Sequence, residues 1–303
     1  VLPQAVRIRE VGPRDGFQNE PEVLATDTKV ALIEALARTG LRRIEVTSFV
    51  RADVIPQLAD AAAVLAAIQL PPEVSASVLI PNERGLDRAL DERAKFQEIS
   101  GFLSASETHN QTNVGRSTAE SLAGLRRVFA RAGAEALRIE AVIVTSFGCP
   151  FEGRVPRLRV LELAEELAEA GAVEIAFGDT TGMANPVQVG EFFTAASERL
   201  GDRVELTAHF HNTRGQGLAN VLAALEVGVT SFESSFGELG GCPVPAGATG
   251  NIASEDLVSM LEEMGIATGI DLAKLLEASR AAQAALGRPL GSHLLTAGPI
   301  DWG

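Results

Sequence analysis

The chain has only two cysteines, Cys149 and Cys242, one tryptophan and no tyrosine in 303 residues. Two thiols cannot build a disulfide framework, so a stapled secreted scaffold is excluded and a reducing compartment suits the chain. Basic residues are also scarce, with 26 Lys+Arg against 40 Asp+Glu and a net charge of −14. That balance argues against nucleic acid or an anionic membrane surface as a main partner, because both call for a basic face. It does not forbid an anionic ligand, since a few placed cations can dominate one cleft. No apolar run approaches the roughly 20 residues a membrane span needs. The opening Val1-Leu2-Pro3-Gln4-Ala5 has neither a basic start nor an apolar signal core. A cytoplasmic location is the expectation. For the missing tyrosine the sequence offers no physical account.

What the chain does have is a rhythm. Short runs, most of them rich in Val and Ile, at residues 5–11, 42–49, 73–80, 96–104, 137–146, 173–178, 204–211 and 230–236 read as strands. Between them, Ala/Leu/Glu/Arg segments near 26–39, 53–69, 83–93, 117–133, 157–170, 186–200 and 216–227 read as helices. In 157–170 the apolar positions Leu158, Leu161, Ala164, Leu167 and Ala168 form a helical stripe. Gly40, Gly133, Gly171, Gly201 and Gly228 are expected to stop their helices. Strands alternating with helices imply a parallel sheet with crossovers. Eight such units over about 240 residues match a closed (β/α)₈ TIM barrel. An open doubly wound sheet would more often carry a Gly-rich phosphate turn after its first strand. Here that turn reads Gly12-Pro13-Arg14-Asp15-Gly16, without the G-x-G-x-x-G spacing. Residues 1–237 are thus expected to form the barrel. Residues 238–303, a Gly/Pro/Ala loop and helices near 254–264 and 271–286, are expected to pack on it within a single catalytic domain.

A barrel gathers its chemistry at the C-terminal ends of its strands. Arg14 and Asp15 follow the first strand, Glu45 lies late in the second with Thr47 beyond it, and Asp179 follows the sixth. His209 and His211 end the seventh, and Cys242 and Asn251 lie in the loop after the eighth. In His209-Phe210-His211 the two imidazoles share one face of a strand with Thr207, while Ala208 and Phe210 point the other way. Alone, such a pair is more readily structural or surface than metal-binding. With Asp15 and Asn251 at the same rim, two nitrogens and two oxygens suit a divalent cation. Mg²⁺ or Mn²⁺ fits the oxygen ligands, and histidine pulls toward Mn²⁺, Co²⁺ or Zn²⁺. Asp15 then binds the metal while Arg14 faces developing negative charge; the other reading is a salt bridge closing the barrel mouth. Glu45 and Asp179 suit either a catalytic contact or a structural one. Cys242 lies in a glycine-rich stretch that lets a backbone approach a ligand closely. Cys149 is read as structural, and His109 and His293 as ordinary surface or packing residues.

Several motifs together resemble the 3-hydroxy-3-methylglutaryl-CoA lyases. They are Val11 to Glu20, Glu45 to Val50, Gly148 to Gly153, Gly178-Asp179-Thr180, His209 to Gln216, Leu239 to Pro243 and Gly250-Asn251. The likeness runs from about residue 5 to 285. It implies a metal-dependent retro-Claisen lyase acting on a tertiary 3-hydroxyacyl-CoA, and a homodimer. Asp15, His209, His211 and Asn251 would bind the metal, and Arg14 would stabilise the enolate. Cys242 would carry a proton, Glu45 and Asp179 would complete the acid/base network, and Gln18 would line the substrate pocket. For 3-hydroxy-3-methylglutaryl-CoA the products are acetyl-CoA and acetoacetate; for citramalyl-CoA, acetyl-CoA and pyruvate. A Claisen-condensing acyltransferase is a further alternative, but such enzymes carry a larger C-terminal region and a first motif that differs after Arg-Asp-Gly. The chain departs from the family's cysteine signature at Gly237-Glu238 and Val244-Pro245. Those departures bear on the acyl group rather than on the chemistry.

Overall fold

The computed structural model of the chain describes residues 1–241 and 249–302. Its strands are β1 (Arg7–Glu10), β2 (Arg43–Ser48), β3 (Ser75–Leu79), β4 (Glu98–Ser104), β5 (Arg138–Val144), β6 (Glu174–Asp179), β7 (Glu205–Phe210) and β8 (Ser231–Ser234). They pair in chain order, and β8 returns to β1 in parallel with Arg7 opposite Ser231, which closes an eight-stranded barrel. Parallel neighbours require crossovers. These are α1 (Thr26–Ala37), α2 (Ala61–Ala67), α3 (Glu83–Leu90), α4 (Glu107–Val114), α5 (Thr118–Ala134), α6 (Arg157–Glu169), α7 (Pro186–Leu200) and α8 (Gly217–Glu226). After β8 come α9 (Ser254–Glu263), α10 (Leu272–Leu286) and α11 (His293–Ala297), with α10 packed against α1. No helix of the described residues is long and apolar enough to cross a membrane.

Each strand shows helices an apolar face. Ile44 and Val46 of β2, Ile175 and Phe177 of β6, and Ala208 and Phe210 of β7 are fully buried there. Phe177 packs edge-on against Phe192 and Phe193 of α7, with ring centroids 4.9 and 5.8 Å apart. The inner face is different. A barrel of this kind normally fills its axis with Val, Ile and Leu. Here Arg9, Arg43, Glu98, Glu140, Glu174, Thr207, Ser231 and Glu233 meet inside it.

Several local expectations are corrected. The segment 53–69 is not one helix: Pro56 opens a 3₁₀ turn, Pro56–Leu58, and α2 begins only at Ala61, because proline has no N–H to continue a helix. Gly133 sits inside α5, and the left-handed turn after that helix falls on Ala136 (φ 53°); Gly40, Gly171, Gly201 and Gly228 do take positive φ. In α6 the buried stripe is Val160, Leu161, Leu163, Ala164 and Leu167, while Leu158 is exposed. α4 and α11 were not anticipated; each starts at a serine whose hydroxyl accepts a first-turn N–H, Ser106 and Ser292. Of the two readings left open for His109, surface or packing, the structure shows the packing one, since it is buried.

Two buried carboxylates brace the segment after β8, one of them from the first strand. Oε1 of Glu10 accepts the N–H of Gly12 at 2.7 Å and of Phe236 at 3.1 Å, and its Oε2 accepts the Ser254 hydroxyl at 2.6 Å. Burial pushes Glu10 up to about 8 despite those donors. Glu255, which accepts the N–H of Gly237 at 2.9 Å, is pushed by burial up to about 7. Both groups bind their protons more tightly folded than unfolded, so their contribution to stability is full below the ordinary carboxylate range and is lost as pH rises through the folded values. The melting temperature is expected to fall between about pH 5 and pH 8. Glu10→Gln, which keeps a carbonyl acceptor and the shape, is expected to flatten that fall. Thermal melts across this window check it, and an unchanged slope in the variant contradicts the assignment.

Candidate active site

The first segment of the candidate site is an irregular turn. After β1 the chain winds into one π-helical turn, Gly12–Gly16, in which the Gly12 carbonyl accepts the N–H of Phe17, five residues on. Such wide turns recur at functional sites because they re-aim side chains. Gly12 is required here: a Cβ would lie 2.4 Å from the Phe236 ring. The turn carries Arg14 and Asp15 over the barrel mouth.

Arg14 bridges two carboxylates, with Nε donating to Glu45 Oε2 at 2.5 Å and Nη1 to Asp15 Oδ1 at 2.6 Å. Burial works against its charge, but Glu45 and Asp15 outweigh burial and hold the guanidinium firmly protonated. Glu45 stands mid-strand in β2 rather than late, on the inner face, where Ser100 donates to its other oxygen. Asp15 also accepts from Gln18 Nε2 at 2.9 Å and Asn251 Nδ2 at 2.8 Å. Burial acts to raise its pKa; Arg14 and then His209 and His211 overcome that and hold it below the usual range.

The two histidines face each other across 3.1 Å, Nε2 to Nε2. His211 forms an antiparallel bridge with Asn251, which brings the final loop to the end of β7. One ligand atom from each of Asp15, His209 and His211 lies within 4.8 Å of the others, and all three residues are buried. Burial, then the charge of His209, pushes His211 down to about 3, leaving a neutral imidazole. Burial opposes the charge on His209 too, but Glu233 outweighs it and its pKa rises. Asn251 gives its amide N–H to Asp15 and, at 3.1 Å, to the Leu239 carbonyl, while its Oδ1 is buried with no hydrogen-bond partner. A buried carbonyl oxygen without a donor is costly. It suits a cation beside a carboxylate and two imidazoles. Gly240 lets the loop pass close by, since its φ is +104° and a Cβ would lie 2.6 Å from Asn251 Nδ2.

The structure therefore brings together Arg14, Asp15, Gln18, Glu45, His209, His211 and Asn251. Asp179 stands apart. It follows Ile175 and Phe177 on the helix-facing side of β6, and its Oδ1 accepts the N–H of Met183 at 2.8 Å, which ties down the following turn. Burial pushes it up to about 7, and its Oδ2 has no hydrogen-bond partner. Cys242 lies outside the described residues. Cys149 is fully buried, its sulfur accepting the Phe151 N–H at 3.4 Å. Sequence reasoning missed Glu233, whose Oε2 lies 2.8 Å from His209 Nδ1. The available signal was its two-residue spacing from the inward Ser231.

Comparison with known proteins agrees with this geometry. The HMGL-like family model matches residues 5–281. A hydroxymethylglutaryl-CoA lyase of Bacillus subtilis is 46% identical over 293 residues, covering 97% of each chain. An (R)-citramalyl-CoA lyase of Chloroflexus aurantiacus is 42% identical over 307 residues, covering 98% of this chain and 96% of the relative. Among solved structures, an HMG-CoA lyase of Acinetobacter baumannii in complex with coenzyme A and 3-methylmalate superposes with a TM-score of 0.94 at 42% identity, over 99% of this chain and 97% of its own. A closed parallel barrel, a matched family model over most of its length and relatives at 42–46% identity lead to one conclusion: the chain belongs to the HMGL-like family and is a carbon–carbon lyase.

Proposed function

We propose that the protein cleaves 3-hydroxy-3-methylglutaryl-CoA into acetyl-CoA and acetoacetate. The observation that carries this reading is the buried cluster of Asp15, His209 and His211, joined by the orphaned Asn251 oxygen and flanked by the charged Arg14. Asp15, His209, His211 and Asn251 would hold a divalent cation, Mg²⁺ or Mn²⁺. Bound there, it supplies Lewis acidity toward the substrate's tertiary hydroxyl.

The remaining work falls to side chains. Asp15 and Glu45 are the carboxylates of this rim that could take the hydroxyl proton. As the new carbonyl forms, the bond between carbons 2 and 3 breaks, and its electron pair moves onto the thioester as an enolate. The Arg14 guanidinium, fixed by Glu45 and Asp15, is placed to balance that charge without reorganising. Gln18 holds Asp15 in position. Protonation at the enolate carbon completes acetyl-CoA, and the family resemblance gives that step to Cys242. The same resemblance supports a homodimer.

Citramalyl-CoA is the second reading, because the citramalyl-CoA lyase relative is 42% identical over nearly the whole chain. Its substrate also joins a tertiary hydroxyl to a carboxylate, so the cation site discriminates little. An acetyl-CoA release assay on both thioesters, with and without chelator, separates the possibilities. Release is expected to stop with chelator, to return with Mg²⁺ or Mn²⁺, and to be faster for the methylglutaryl substrate. Full turnover after metal removal overturns the mechanism, and faster turnover of citramalyl-CoA reassigns the substrate.

A further inference from the structure

The charged interior of the barrel calls for an explanation of its own. Arg9 is 2% exposed and reaches four strands. Its Nη2 donates to Glu98 Oε2 at 3.1 Å and lies 3.5 Å from Glu174; its Nη1 pairs with Glu140 and donates to Glu233 Oε1 at 3.2 Å. Arg43 locks the far side, reaching Glu98 at 2.5 Å and Glu174 at 2.6 Å. Thr207 donates its hydroxyl proton to Glu174 at 2.6 Å and accepts from the Ser231 hydroxyl at 2.9 Å. An apolar filling of the same volume would be about as stable as such buried ion pairs, so stability alone does not account for them.

One member of the network touches the catalytic rim. Glu233 is 4% exposed, and its two oxygens are divided between Arg9 and the Nδ1 of His209. We infer that Glu233, braced by Arg9, is a positioning residue that keeps the proton of His209 on Nδ1 and so presents the Nε2 lone pair to the cation. The imidazole has two nitrogens, and which one is free is decided by the partner of the other. A carboxylate at Nδ1 can only accept. A carboxylate left loose could swing away; one gripped at its second oxygen by a guanidinium that is itself held from three other strands cannot. The interior is thus a rigid base on which the ring of His209 stands. Its glutamates are paired from Arg9, Arg43 and, 3.1 Å from Glu174, Arg138.

This inference rests on His209 being a metal ligand, and the experiment separates the two. Mn²⁺ affinity is measured by electron paramagnetic resonance titration for the wild type, Glu233→Gln and Glu233→Asp. The ¹⁵N and ¹H signals of the His209 ring are recorded for the metal-free and Mg²⁺-loaded wild type. The expected result is a proton on Nδ1 in both states, a loss of Mn²⁺ affinity of about 10- to 100-fold in Glu233→Gln, and partial recovery in Glu233→Asp. Wild-type protein that binds no Mn²⁺ overturns the ligand reading and this inference with it. Wild-type binding that Glu233→Gln leaves unchanged overturns the inference alone. Should Glu233→Gln fail to fold, the wild-type ring decides: Nδ1 without a proton refutes the positioning role, and Nδ1 with one supports it.

Discussion

Replacing Arg14 with methionine is expected to lower kcat by about 10²–10³-fold, the usual loss when one fixed donor to a developing oxyanion is removed. The reason is visible in its two partners. Glu45 at 2.5 Å and Asp15 at 2.6 Å hold the guanidinium in place before substrate arrives, so none of its stabilising effect is spent on reorientation. Methionine fills similar volume without charge. Arg14→Lys is expected to restore only part of the loss, because a single ammonium cannot reach both carboxylates through a planar fork. Steady-state kinetics on the acyl-CoA substrate, with a melting curve to show that each variant folds, measures this. A kcat within a few-fold of wild type in Arg14→Met would remove the arginine from the mechanism.

Asp15→Asn is expected to abolish tight metal binding. The carboxylate of Asp15 faces three donors: Arg14 and Gln18 at Oδ1, and Asn251 at Oδ2. An amide in its place turns an N–H₂ group toward one of them whichever way it sits, so the side chain must move. The site also loses its one anionic ligand. A unit charge about 4 Å away is worth about 4 kcal/mol at an intermediate dielectric, which is about a thousandfold in affinity. Mn²⁺ titration of the purified variant reads that change directly, before any assay of turnover. Wild-type affinity in Asp15→Asn would place the cation elsewhere.

Much of this architecture could be read from the chain itself. Every strand lies within one of the expected runs or overlaps it closely, because the helix-facing side of each strand must be apolar and Ile44, Phe177, Phe210 and, in β8, Phe232 supply that signal. The rim residues were legible for a different reason: Arg14-Asp15 and His209-Phe210-His211 are polar groups at the ends of apolar strands, where folding alone would not ask for them. The charged axis was not legible. Arg9, Glu98, Glu140 and Glu174 look like solvated positions in alternating strands, and only closure of the barrel puts them opposite one another. For Asp179 the sequence left a catalytic and a structural contact open. A residue at the very end of a strand looks catalytic in any barrel, yet the alternation that turns Phe177 toward α7 turns Asp179 the same way, and its carboxylate serves the turn through Met183. α4 was hidden because its residues, Glu107 to Val114, carry no apolar stripe; it is organised by the serine at its start and by the side chain of Asn110, which accepts the Ser104 N–H at 2.9 Å and donates to Ser121.

The ionic axis also constrains how this protein can change over generations. Losing Arg9 alone leaves Glu140 without its cation, since Glu98 and Glu174 keep Arg43 and Glu233 keeps His209, and breaking a pair of that sort costs about 3–5 kcal/mol, a large part of the margin by which a domain stays folded. Losing Glu98 or Glu174 loosens Arg9 and Arg43 together, because the two arginines share them. Drift in this part of the barrel must therefore be concerted, with several strands altered in step, while the oily layer between strands and helices remains free to trade one hydrocarbon for another.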